Sequence, residues 1–282
     1  MQNWVSFDTL LREIILELEY ETLSPLRIGS GTAKLPTSPV DLQVATIFQN
    51  GIHKPYIPGS SLKGVLRSIC ENLASSLKIS DCFMGEKCKR NFDERLKSSI
   101  ELNLIDEAKK LLSNYCIICK TFGTASYKSH IYVSDAYAIR EVSRGVKVGI
   151  AIDRRSGIAQ RGAFYSVEYV DPGFTFSGTI AFKNTPNYLM GMVMNALDLI
   201  NMGYKRIGGF KTRGFGRMQV KIKDFKGVEL KGDTYMNIKE LNELPGLDDY
   251  DSSVKLTSIN EFLNSCKESW NNYVKKIHTS ES

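Results

Sequence analysis

The chain has 282 residues, 42% of them hydrophobic, enough to bury a sizeable core in one large domain or two ordinary ones. No run approaches eighteen uncharged apolar residues, and Asp8, Arg12 and Glu13 interrupt the amino-terminus, so no membrane span or secretory signal is expected and a cytoplasmic protein is anticipated. The net charge of +6 is uneven: residues 224–282 carry seven Lys and Arg against eleven Asp and Glu, leaving +10 on the first 223, a balance that favours a polyanionic partner through counterion release.

In "LREIILELEYET" (11–22) the apolar residues alternate from Ile14 onward, which predicts a strand despite the helix-favouring glutamates. "LSPLRIGSGTAKLPTSPVDLQ" (23–43) has the Pro, Gly, Ser and Thr content of a long, partly mobile connection. After Pro58 and Gly59, the spacing of Leu62, Val65, Leu66, Ile69, Leu73 and Leu77 predicts a helix with Ser60 as N-cap. Its free amino-terminal N–H groups, with Ser60, Ser61 and Lys63, favour an anion, and Arg67 lies one turn beyond Lys63. Lys63 is followed by Gly64 where a P-loop needs Ser or Thr, so a nucleotide-triphosphate loop is excluded.

Residues 80–128 read as a charged insertion, with one helix across "FDERLKSSIELNLIDEAKKLLSNY" (92–115). The insertion carries Cys82, Cys88, Cys116 and Cys119 as C-x5-C and C-x2-C. Without a secretion signal such pairs point to metal before disulfides; zinc, thiol redox chemistry and plain burial are all open to them, and a structural zinc ion, with His130 as a substitute fourth ligand, is the favoured reading. "HIYVSDAYAI" (130–139) predicts a strand, and residues 146–170 a hairpin of two alternating runs around a basic tip. A strand over "FTFSGTIAF", a helix over 186–203 and a strand over "MQVKI" follow. Ser258 with Glu261 forms a capping box for a last helix, whose apolar face is expected to lie on the protein's own core.

Ahead of that closing strand, "RIGGFKTRGFGRMQV" (206–220) interleaves Gly208, Gly209, Gly214 and Gly216 with Arg206, Lys211, Arg213 and Arg217 and two phenylalanines. Glycines admit close backbone approach, while the cations and rings suit a nucleic-acid backbone. The element order, strand, helix, insertion, strand, hairpin, strand, helix, strand, fits an α+β sandwich with a ferredoxin-like core.

"YIPGSSLKGVLRS" (56–68), followed by "CKTFGTAS", "VSDA" and "IGGFKTRGFGRMQV", resembles the RAMP superfamily of CRISPR-associated proteins, in particular the backbone subunits of type III RNA-targeting effector complexes, over residues 13–222. The resemblance implies a modified RRM-like core whose copies, or paralogues, stack along a guide RNA beside other effector subunits. It implies a thumb-like hairpin at 146–170 that wedges into the guide–target duplex with Arg154, Arg155 and Arg161 near its tip; the body is read as 1–223, and 224–282 as an extension that the resemblance does not reach. By the same resemblance Asp41 stands where cleaving members carry an aspartate that supports Mg2+- or Mn2+-dependent cutting of target RNA, although Leu42 and Gln43 depart from the pattern after it. Two other outcomes stay open: a metal-independent guide-processing endoribonuclease, for which His53, His130 and His278 are the available bases, and a scaffold that binds RNA without cutting it.

Overall fold

The computed structural model describes residues 3–29, 40–49 and 51–280, and their side chains except at 3, 160–163 and 280. In chain order the elements are β1 (Arg12–Thr22), β2 (Thr46–Gln49), β3 (Ile52–Ile57), α1 (Gly59–Ser76), the single turn α2 (Glu86–Cys88), α3 (Glu94–Glu101), α4 (Ile105–Ser113) and α5 (Ile117–Phe122). Next come β4 (Ile131–Val133), β5 (Ala136–Ala138), β6 (Arg144–Ile152), β7 (Ala159–Val170), β8 (Thr175–Lys183), α6 (Asn187–Asn201) and β9 (Met218–Lys231). The chain closes with β10 (Thr234–Asn237), the two-residue strands β11 (Glu243–Leu244) and β12 (Val254–Lys255), and α7 (Ile259–Ser280).

The fold is mixed α+β. One antiparallel sheet runs in the order β10-β9-β1-β8-β5-β3-β2, and β4 also pairs with β8. Along β1 burial alternates strictly: Ile14, Leu16, Leu18 and Tyr20 face the core, while Glu13, Glu17, Glu19 and Glu21 face outward and pair with Lys183, Lys226, Lys223 and Lys221. Such exposed pairs add little stability, but they mark which face is solvated. Against the core face lie α1 and α6. α6 is buried nearly all round, as its apolar sequence requires, because α7 covers its far side. A side-chain carbon on Gly191 would lie 2.0 Å from the carbonyl oxygen of Cys266, so only glycine lets α7 approach this closely. Residues 224–231 continue β9 without a break.

Three expectations need correction, and one further segment is described only in part. Ser60 does not cap α1: the helix begins at Gly59 after Pro58, and the N–H of Gly59 donates to Oδ1 of Asp135 at 2.7 Å. The 92–115 helix is two helices, broken where Asn103 adopts φ 57°, a left-handed conformation that asparagine tolerates. The 130–139 strand is split into β4 and β5 by Ser134 and Asp135, and the split sets the Asp135 carboxylate under α1. The described parts of the 23–43 connection are pinned: Leu26 bridges Val170, Gly29 bridges Val44 and Leu42 bridges Val167. The remainder of that connection lies outside the described residues.

Candidate nucleic-acid interface

The helix α1 and the glycine-rich loop, far apart in sequence, line opposite walls of one open groove of about 470 Å3. The α1 wall is Ser60, Ser61, Gly64, Val65 and Ser68, a strip of small side chains that leaves the groove clear. The facing wall is Lys205, Arg206, Gly208, Gly209 and Lys211, with Arg27 between the two. Among the described residues, no acidic side chain lines it.

The loop is shaped by its glycines and by the 23–29 segment. The N–H of Gly209 donates to Arg27 O at 2.7 Å and that of Gly216 to Pro25 O at 2.9 Å, while Ile207 N–H closes the loop onto Gly216 O at 2.9 Å. Gly208, Gly214 and Gly216 have φ of +87°, +92° and +81°, and a side-chain carbon on Gly208 would sit 2.3 Å from Arg27 O. Arg27 lies over the Phe210 ring at 5.5 Å, its Nε is buried with no hydrogen bond among the described residues, and burial lowers its pKa. A guanidinium beside small, clear walls is suited to a phosphate oxygen.

The other sequence candidates distribute around this groove. Arg213 donates to the Tyr165 hydroxyl on β7 and stacks over Phe210 at 5.3 Å, so it joins the loop to the hairpin. Gly214 and Gly216 turn the loop without lining the groove, and Arg217 lies beyond it, its N–H on Ser24 Oγ. Lys63 and Arg67 are on the other flank of α1. Burial, and then the charge of Arg67, lower the pKa of Lys63. Arg67 pairs with Glu71 at 2.9 Å and donates to Gly123 O at 3.0 Å, toward the insertion. Arg27 and Lys205 are the cations that the sequence reading omits; a signal existed, because Arg-Ile-Gly occurs twice, at 27–29 and 206–208, and the two copies meet here.

Asp41 is tied to the hairpin. Its Oδ2 accepts the N–H of Ser166 at 2.8 Å and its Oγ–H at 2.9 Å, and the next residues run parallel to β7 through the Leu42–Val167 bridge. On the hairpin, Gly145, Lys147 and Gly149 share the face of Tyr165 and Tyr169 that meets the glycine loop, the tyrosine rings filling the space over both glycines. The opposite face exposes Val146, Val148, Ile150 and Ile152, an alternation that marks a strand without marking burial. Arg154 and Arg155 are exposed at the tip, where Asp153 accepts the N–H groups of Arg155 and Ser156; the side chain of Arg161 lies outside the described residues.

The four cysteines of the insertion converge, their sulfurs all within 4.8 Å of one another. Cys82 and Cys119 are 3.8 Å apart, and Zn–S bonds of about 2.3 Å in a tetrahedron require sulfurs about 3.8 Å apart. Backbone N–H groups of Cys88, Cys116 and Cys119 point at Cys82, Cys88 and Cys116 Sγ at 3.5, 3.3 and 3.4 Å, the pattern that stabilises thiolates. Hydrogen bonds from Cys119 and Cys88 lower the pKa of Cys116, and the bond to Cys116 raises that of Cys119. This cluster fits a metal such as zinc. His130 is not a substitute ligand: it is buried between Trp4 and Phe7, with Nε2 against Tyr127 Oη at 2.9 Å and Nδ1 against Lys183 O at 2.7 Å.

Comparison with known proteins assigns the class. Residues 19–219 match the RAMP superfamily, and since these make up most of the chain, it belongs to that superfamily. Over 264 aligned residues the chain is 25% identical to the CRISPR system Cms endoribonuclease Csm3 of Methanocaldococcus jannaschii, covering 87% of this chain and 94% of that protein. No helix among the described residues is long and apolar enough to cross a membrane.

Proposed function

We propose that this chain is an RNA-binding backbone subunit of a type III CRISPR effector complex, acting in antiviral defence, with a modified RRM-like body over 1–223, an extension over 224–282, a zinc-held insertion at 80–128 and a thumb hairpin at 146–170. The carrying observation is the groove in which Arg27, Lys205, Arg206 and Lys211 face a wall of small residues on α1. Its chemistry addresses phosphate and sugar, so guide RNA is held independently of its sequence. Copies of the chain, or paralogues, stack along that guide beside other effector subunits, and the exposed hairpin meets the guide–target duplex. Among the described residues no histidine lines the groove, which disfavours a metal-independent processing nuclease.

Cleavage of target RNA at Asp41 is a second reading, favoured by the two hydrogen bonds that fix its carboxylate against Ser166 at the hairpin. A Mg2+ or Mn2+ ion bound there would supply Lewis-acid polarisation of the scissile phosphate. The test is binding of guide RNA across a salt series, followed by addition of labelled complementary RNA with Mg2+ or Mn2+, in wild type, Arg27→Ala/Lys211→Ala and Asp41→Ala. The double variant should flatten the salt slope by one to two phosphate contacts, about 0.7 log units each for a single strand. Asp41→Ala should bind like wild type and lose evenly spaced cuts. Uncut target in both leaves a scaffold, and an unchanged salt slope rejects the groove.

A further inference from the structure

We infer that Arg67 is a counter-charge of the four-cysteine centre, its Nη2 set on the Cys119 side as the donor available to the thiolates of the metal-bound form, and that it fastens that centre to α1. The inference rests on the reading that the cysteines hold zinc. Two of the three donor positions of the guanidinium are spoken for, Nε by Glu71 Oε1 at 2.9 Å and Nη1 by Gly123 O at 3.0 Å. Nη2 is buried and makes no hydrogen bond among the described residues. Gly85 locates it: a side-chain carbon there would lie 3.0 Å from Nη2 and 3.6 Å from Cys119 Sγ, so guanidinium and sulfur flank one point and are separated by no more than the sum of those distances. Gly85 has φ +76°, and its missing side chain leaves the passage between them open.

The surrounding contacts make this a clamp. Glu71 also accepts the N–H of Met84 at 2.8 Å, next to Gly85 and between Cys82 and Cys88. Gly123, whose carbonyl takes Nη1, ends α5 and donates its own N–H to Cys119 O at 2.8 Å. One pair of residues on α1, four apart, therefore grips both cysteine-bearing segments. Four thiolates around Zn2+ carry a net charge of −2, and such a charge in a buried site is costly unless nearby donors spread it. A buried guanidinium N–H without an acceptor is costly too. Each group supplies what the other lacks.

The experiment compares wild type, Arg67→Met and Arg67→Lys as purified full-length protein. Zinc release to a chromophoric chelator is measured alongside the absorption spectrum of the Co2+-substituted protein. Arg67→Met should weaken zinc retention about 10- to 100-fold, the usual consequence of removing an outer-shell partner. Its thiolate-to-cobalt charge-transfer band should move to lower energy, because sulfurs that lose a hydrogen bond hold their electrons less tightly. Arg67→Lys, which keeps charge but not the fork, should fall between, and it decides the matter if the methionine variant does not fold. Wild-type zinc affinity and an unshifted band in a folded variant overturn the role of Arg67 alone. A wild-type chain that takes up neither zinc nor cobalt with a four-thiolate spectrum overturns the zinc reading with it.

Discussion

The carbonyl oxygen of Arg27 lies 2.3 Å from where a side-chain carbon of Gly208 would stand, and the same oxygen accepts the N–H of Gly209 at 2.7 Å. Through this contact the 23–29 segment holds the glycine loop at the distance that forms the groove. Gly208→Ala must therefore move backbone against backbone as well as strain a φ of +87°. It should cost about 1–3 kcal/mol and weaken RNA binding several-fold. Gly214→Ala, at φ +92° with open space around it, meets only the conformational part. Unfolding midpoints and RNA titrations of the two variants should separate accordingly; equal effects would mean that the Arg27 contact does not set the groove.

Arg12 ties the ends of the fold together. Fully buried on the core face of β1, it pairs with both oxygens of Glu229 at 2.8 and 3.0 Å, and donates to Asn187 Oδ1 and Pro245 O. Arg12→Met leaves the Glu229 carboxylate buried without its partner, at a cost of about 3–5 kcal/mol. Arg12→Met/Glu229→Met removes both charges and should regain much of that loss. Urea denaturation of the single and double variants measures the difference, and a double variant no more stable than the single would place the cost in the Asn187 and Pro245 contacts instead.

His130 gives the fold an acid limit. Burial lowers its pKa to about 4 from an ordinary value of 6.5. The unfolded chain therefore binds this proton before the folded one does, and stability present above pH 6.5 is lost as pH falls toward 4. By linkage the loss is about 2 kcal/mol at pH 5. His130→Gln should show a flatter decline between pH 7 and 5 than wild type. Because proton competition for the cysteine thiolates is common to both proteins, the difference between their thermal midpoints isolates His130; parallel curves would refute its role.

Much was written in local order. The alternation of Ile14 to Tyr20 defines β1, the proline-led, apolar-rich stretch at 186–203 marks a helix, and the cysteine spacings find the sulfur cluster that the structure assembles. The capping box was half legible: Ser258 accepts the N–H of Glu261, but the Glu261 carboxylate turns to Thr257. These features depend on a residue and its near neighbours, whose spacing the sequence records directly.

Tertiary packing decided the rest. A helical wheel puts Lys63 and Arg67 on one flank of α1 and Ser60, Gly64 and Ser68 on another, but only the docking of Leu62, Leu66 and Ile69 into the core determines which flank meets the glycine loop. That choice sends Arg67 toward the cysteines and brings Arg27 into the groove from a segment with no periodicity of its own. The valine and isoleucine alternation of β6 likewise specifies a strand and leaves open whether anything covers it. Local sequence sets the period of each element; the face it turns to its neighbours is a property of contacts between residues far apart in the chain.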